Sequence, residues 1–114
     1  MNSLLNDENP IYSSLANDEM MCELVEEFVG DMPLRIEALR QALAADDIDT
    51  VQRLAHQLKG AFGSYGFEQM TEPARKLEKS AAESRDQVDV IRQDVDALVG
   101  YCLRLTAAKP PAAG

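Results

Sequence analysis

The sequence predicts an all-α chain, an antiparallel four-helix bundle with an additional short N-terminal helix. Three observations carry this expectation. Apolar residues recur at steps of three and four along almost the whole chain, strand-type alternation is nearly absent, and Gly, Pro and Asp fall between the periodic stretches. With 114 residues and 46% apolar content, one domain can bury a real core.

The elements follow in order. Residues 1–17 read as a loose N-terminal segment, 18–106 as the helical bundle, and 107–114, ending KPPAAG, as a disordered tail. Met21, Leu24, Val25 and Phe28 share one face of a first short helix that ends near Gly30. Asp31 can cap a second helix, with Pro33 in its first turn and Ile36, Leu39 and Leu43 facing inward. After the break at Asp46-Asp47, Asp47 can cap a third helix, for which Gly66 is a natural stop. Thr71 can cap a fourth, with Pro73 in its first turn and Ala74, Leu77 and Ala81 on one face. Ser84 to Asp86 makes the last turn, and Val88, Ile91, Val95, Leu98, Cys102 and Leu105 form a bundle-facing helical stripe.

Composition excludes several functions. With 20 acidic against 11 basic residues the net charge is −9, which repels nucleic acid and anionic lipid. No apolar run approaches the roughly 18 residues of a membrane span. MNSLLNDENP lacks the basic start and apolar stretch of a secretory signal. Cys22 and Cys102, far apart in helical patterns, read as buried thiols and not as a disulfide or metal pair. The chain is expected to be cytoplasmic and monomeric.

The third helix holds the one histidine of the chain, His56, followed by Gly60, Gly63 and Gly66. A glycine in a helix interior costs about 1 kcal/mol relative to alanine, so its presence needs a reason. At about 100° per residue, Val51, Leu54, Leu58, Ala61, Phe62 and Tyr65 gather on the core side. Asp49, Gln52, Arg53, His56, Lys59, Gly60 and Gly63 gather on the other, His56 lying roughly 160° from the centre of the apolar stripe. His56 therefore faces solvent. Gly60 and Gly63 share its face, where missing side chains bare the imidazole and let another surface approach. Lys59, three residues on, can accompany an anion held on the ring, and Arg53 adds a second positive charge one turn earlier.

His56-x-Leu58-Lys59-Gly60, with Gly63 and Gly66 following, resembles the signature of the histidine phosphotransfer (HPt) domain. The resemblance runs from about Met21 to Leu105, and Pro73-Ala74-Arg75-Lys76-Leu77-Glu78 is similar to the segment downstream of the motif in many members. Phe62 departs from the small residue common there; the wheel turns it into the core, where it alters packing and not chemistry. The resemblance implies a phosphorelay carrier without kinase activity or an ATP site. His56 would accept a phosphoryl group on Nε2 from a receiver-domain phospho-aspartate and pass it to another receiver aspartate. Lys59 would compensate the phosphate charge, with Gln52, Arg53, Gly60 and Gly63 at the docking surface. The implied partners are receiver domains of response regulators or hybrid histidine kinases. The receiver would bring the Mg²⁺, and this chain no metal or cofactor.

Two other readings compete. The GSYGF ending also resembles the phosphoacceptor domain of chemotaxis-type histidine kinases, and a non-phosphorylated helical adaptor would share the bundle. A self-contained enzyme finds little support, because one histidine and two separated cysteines give neither a zinc set nor a nucleophile–base pair. GAFGSYG matches no nucleotide-binding loop.

Overall fold

Val25, Phe28, Met32, Ile36, Leu39 and Ala42 are all buried, at steps of three or four, with no change of phase between Gly30 and Pro33. The computed structural model, which describes residues 9–111, accordingly shows one helix, α1 (Cys22–Ala44), where two were expected. The separate short N-terminal helix is the first third of α1, and Asp31 is an exposed mid-helix residue and not a cap. Pro33 lies inside the helix, where the missing N–H and the ring cost about 3 kcal/mol. Burying Met32 and Ile36 on either side returns about 1.5–3 kcal/mol each, so continuity wins. Leu24, expected to face inward, is 42% exposed, and Leu43 packs half-buried against the core.

α1 ends at Ala44 and is capped by Ala45, with Asp46 in the left-handed region at φ 57° and Asp47 N donating to Ala42 O at 2.9 Å. Asp47 then caps α2 (Ile48–Ser64) as expected. Its carboxylate accepts from Thr50 N at 3.1 Å and from Thr50 Oγ1 at 2.6 Å, and these bonds, side-chain one first, hold it below the usual carboxylate range. α2 closes in the same way, Phe67 N donating to Phe62 O across Gly66 at φ 82°. A 3₁₀ turn over Glu68–Met70 runs straight into α3 (Thr71–Glu83), so Thr71 is the first helical residue and caps nothing. Pro73 sits in that first turn, and Ala74, Leu77 and Ala81 are buried.

α4 (Val88–Cys102) buries Ile91, Val95, Leu98 and Cys102, while Val88 is half-buried. The helix stops before Leu105, because Arg104 N turns back to Tyr101 O at 2.9 Å. Leu105 reaches the core from a two-residue strand, β2 (Leu105–Thr106), paired in parallel with β1 (Ile11–Tyr12) in the register Ile11↔Leu105. Residues 9–17, expected to be loose, are thus tied to the helices, and Ala16 is 2% exposed. Residues 1–8 and 112–114 of the expected end segments lie outside the described residues.

Each helix packs on the next, and α4 returns to α1. Phe62 is fully buried, as the wheel required, with Phe28 edge-on at 5.8 Å between ring centres. Cys22 and Cys102 are both free, Cys22 only partly covered, and burial pushes the Cys102 thiol up to about 12. Among the described residues no helix is long and apolar enough to cross a membrane.

The two kinds of glycine on and after α2 behave oppositely. At Gly66 the backbone is left-handed, and a Cβ would strike Ser13 Oγ and sit 2.9 Å from Leu15 N. At Gly60 a Cβ would meet nothing within 4 Å. Gly66→Ala is expected to lower stability by about 1–3 kcal/mol and Gly60→Ala to raise it by up to about 1 kcal/mol, read by urea denaturation. A Gly66→Ala protein as stable as the wild type would remove the steric account.

Candidate functional site

α2 and α3 are the most closely packed pair of helices, and their seam decides where the polar side chains at its edge can meet. Leu58 and Phe62 of α2 and Ala74, Leu77 and Ala81 of α3 are buried. Glu78 follows Leu77 by about 100° on the helix and so stands at the rim of the seam, its side chain 22% exposed. There it meets two residues of α2 at once. Glu78 Oε2 lies 2.7 Å from His56 Nδ1, and Lys59 Nζ donates to Glu78 Oε1 at 2.7 Å.

The electrostatics fix the chemistry of the ring. The hydrogen bond from Lys59, and after it that from His56, holds the Glu78 carboxyl below its usual value near 4.5 against the opposing effect of burial. Glu78 is therefore ionised at neutral pH and can only accept. Nδ1 must carry the ring proton, which leaves Nε2 with its lone pair on a side chain 66% exposed. This arrangement can present a neutral, oriented nitrogen nucleophile to an incoming electrophile, with a cation one turn away.

The other expected site residues are distributed around it. No neighbour would touch a Cβ at Gly60 or Gly63, so both leave open space on the histidine helix. Gln52, half-buried one turn before His56, accepts from Arg85 Nη1 at 3.4 Å, and Arg85 also pairs with Asp49. Arg53 is exposed on the same helix, where its charge acts on the Asp47 carboxyl. The structure thus joins His56 to Lys59, and does not bring Gln52 or Arg53 to the imidazole.

Sequence reasoning missed Glu78 and Arg85. Glu78 could be placed beside the core stripe of α3 from the pattern Ala74, Leu77, Ala81. Which helix it would face depends on how α3 packs, and no single-helix wheel carries that information. Arg85, in the α3–α4 connection, gives no periodic signal at all.

The Glu78 contacts have a pH signature. Its carboxyl is lowered in the folded chain, so its stabilisation is complete above the unfolded value near 4.5 and is lost as pH falls through the folded value. Urea unfolding of Glu78→Gln against wild type should show the largest stability gap at neutral pH, closing below pH 4.5. In ¹⁵N spectra, Glu78→Ala should move His56 from the Nδ1–H toward the Nε2–H tautomer. A wild-type ring already in the Nε2–H form would contradict the hydrogen-bond assignment.

The family model described as Hpt domain matches residues 23–101, well over half of the chain, and spans all the residues just described. No curated protein and no solved structure gives a match. The match extends from the second residue of α1 to the penultimate residue of α4 and includes His56, Lys59 and Glu78. The chain belongs to the Hpt domain family, whose members carry phosphoryl groups on a histidine in phosphorelays, without kinase activity, and interact with receiver domains.

Proposed function

We propose that this chain is the histidine phosphocarrier of a multistep phosphorelay, with His56 as acceptor. The observation that supports this most is the oriented imidazole: Glu78 holds the Nδ1 proton and Nε2 is the exposed lone pair. Nε2 attacks the phosphorus of a receiver's aspartyl phosphate in line, the acyl P–O bond breaks, and the aspartate carboxylate leaves. The ring then carries positive charge, which the Glu78 carboxylate stabilises. In the forward step a second receiver aspartate attacks the same phosphorus, the P–N bond breaks, and its electrons return to Nε2.

Lys59, three residues beyond His56 on the same helix, donates to Glu78 Oε1. As a flexible point charge it can turn to the phosphoryl oxygens while Glu78 keeps Nδ1. Gly60 and Gly63 leave room for the receiver, with Gln52 and Arg53 at the near edge of its footprint. Mg²⁺ chemistry belongs to the receiver in this reading. The short connections between helices imply an antiparallel bundle, and the carrier acts as a cytoplasmic monomer.

Incubation with a receiver domain phosphorylated by acetyl phosphate should label the chain, and the label should be acid-labile and base-stable. His56→Gln should abolish labelling while circular dichroism stays unchanged; undiminished labelling would end the proposal. Lys59→Ala should slow transfer about tenfold, or about 1.4 kcal/mol, and Arg53→Ala less. The reverse order would mean that Arg53 serves the phosphoryl group.

A further inference from the structure

Asp94, midway along α4, is the one buried charged side chain among the described residues, at 7% exposed. The phosphoryl site makes no use of it. Its Oδ2 accepts from Ser80 Oγ, which ties α4 to α3. Its Oδ1 has one neighbour among the described residues, Lys76, whose Nζ stands 3.4 Å away on a side chain 72% exposed. A carboxylate can accept about four hydrogen bonds, and burying one with so few partners is costly. The tie between the helices accounts for Oδ2 and leaves Oδ1 unexplained.

Asp94 and Lys76 both line a cavity of about 690 Å³ between β1, α3 and α4, a size that suits a small organic molecule. Ile11, Met70, Pro73, Ala97 and Tyr101 give it apolar walls. Two further charged residues on the wall are already engaged. Arg104 donates to Asn9 O at 2.8 Å and lies over the Tyr101 ring, and Glu72 pairs with Arg75. Lys76 precedes Glu78 by two residues, about 200° around α3. The cavity therefore opens on the opposite side of that helix from His56.

We propose that this cavity binds a small organic cation, a protonated amine on an apolar body, with its nitrogen on Asp94 Oδ1. The amine displaces Lys76, which returns to water at little cost because it is already mostly exposed and its pair is loose. An anion meets the reverse situation, since the buried carboxylate is anchored by Ser80 and has nowhere to withdraw. The net charge of −9 adds attraction for cations at longer range. The apolar body of the ligand covers the walls, and a concave cavity of this size selects a small molecule over a flat protein surface. The site makes no use of His56, so it stands whether or not the chain carries a phosphoryl group.

The test is a titration of the ¹⁵N-labelled full chain at pH 7 with 2-phenylethylamine, followed by amide chemical shifts. Saturable shifts are expected at Ile11, Tyr12 and Ala97, with His56 and Lys59 unmoved. Phenylacetate, of the same size but opposite charge, should bind at least about tenfold more weakly, and Asp94→Asn should weaken the amine by a similar factor. Lys76→Ala should tighten the amine about two- to fivefold, because nothing then has to be displaced. Ala97→Trp, a change at an exposed helix position, should fill the cavity and block binding; it also serves if Asp94→Asn melts early. Phenylacetate binding as tightly as the amine, or weaker amine binding by Lys76→Ala, would overturn the inference. So would saturable shifts centred on His56 and Glu78, or no saturable shift at up to about 10 mM amine.

Discussion

The close approach of α2 and α3 is the constraint on which the site depends. Ala55, Ala74 and Ala81 are fully buried, and side chains this small let the two backbones come near enough for one carboxylate to span them. Glu78 can then touch residues 56 and 59 of the neighbouring helix at the same time. A larger residue at any of these alanines would push the helices apart, and a shift of about 1 Å would already stretch both bonds beyond useful length. The orientation of an exposed ring is thereby set by packing that the ring itself takes no part in.

Several carboxylates away from the site are held in pairs of their own. Carboxylates near the described cations are engaged by them: Glu72 by Arg75, Asp49 by Arg85, and the 7%-exposed Asp94 by Ser80 and Lys76. Exposed pairs of this kind contribute only about 0–1 kcal/mol each. Their larger effect is on the field seen from outside, since a paired charge attracts little.

Much of this was legible in the sequence, and the limits are physical. The exposure of His56, the open face at Gly60 and Gly63, the Asp47 cap and the inward turn of Phe62 all follow from local geometry on one helix. Gly30 and Pro33 misled because each is a helix breaker by propensity, and Asp31 because it is a good N-cap. The unbroken stripe through Met32 outweighed them, and the stripe was itself visible in the sequence. Glu78 and Arg85 were out of reach for a different reason: their roles arise from contacts between elements. Ser13 belongs with them, donating to Tyr65 O at 2.5 Å from what looked like an unstructured start.

The pairing of Ile11 with Leu105 has a kinetic meaning. It joins positions 94 residues apart (105 − 11), whereas the helices and their turns are local. Closing such a loop in an unfolded chain costs about 4 kcal/mol of entropy, too much for two short strands to meet alone. The helices must assemble first, so the strap is the last part to form and the first to open. Because the same strap holds the Tyr65–Gly66 end of the histidine helix, through Ser13 and Ser14, its opening frees that helix end without disturbing the Glu78 seam. Native-state hydrogen exchange would show it as faster exchange at Ile11 and Ser14 than at Leu58 and Leu77; equal rates would mean that strap and helices open only together.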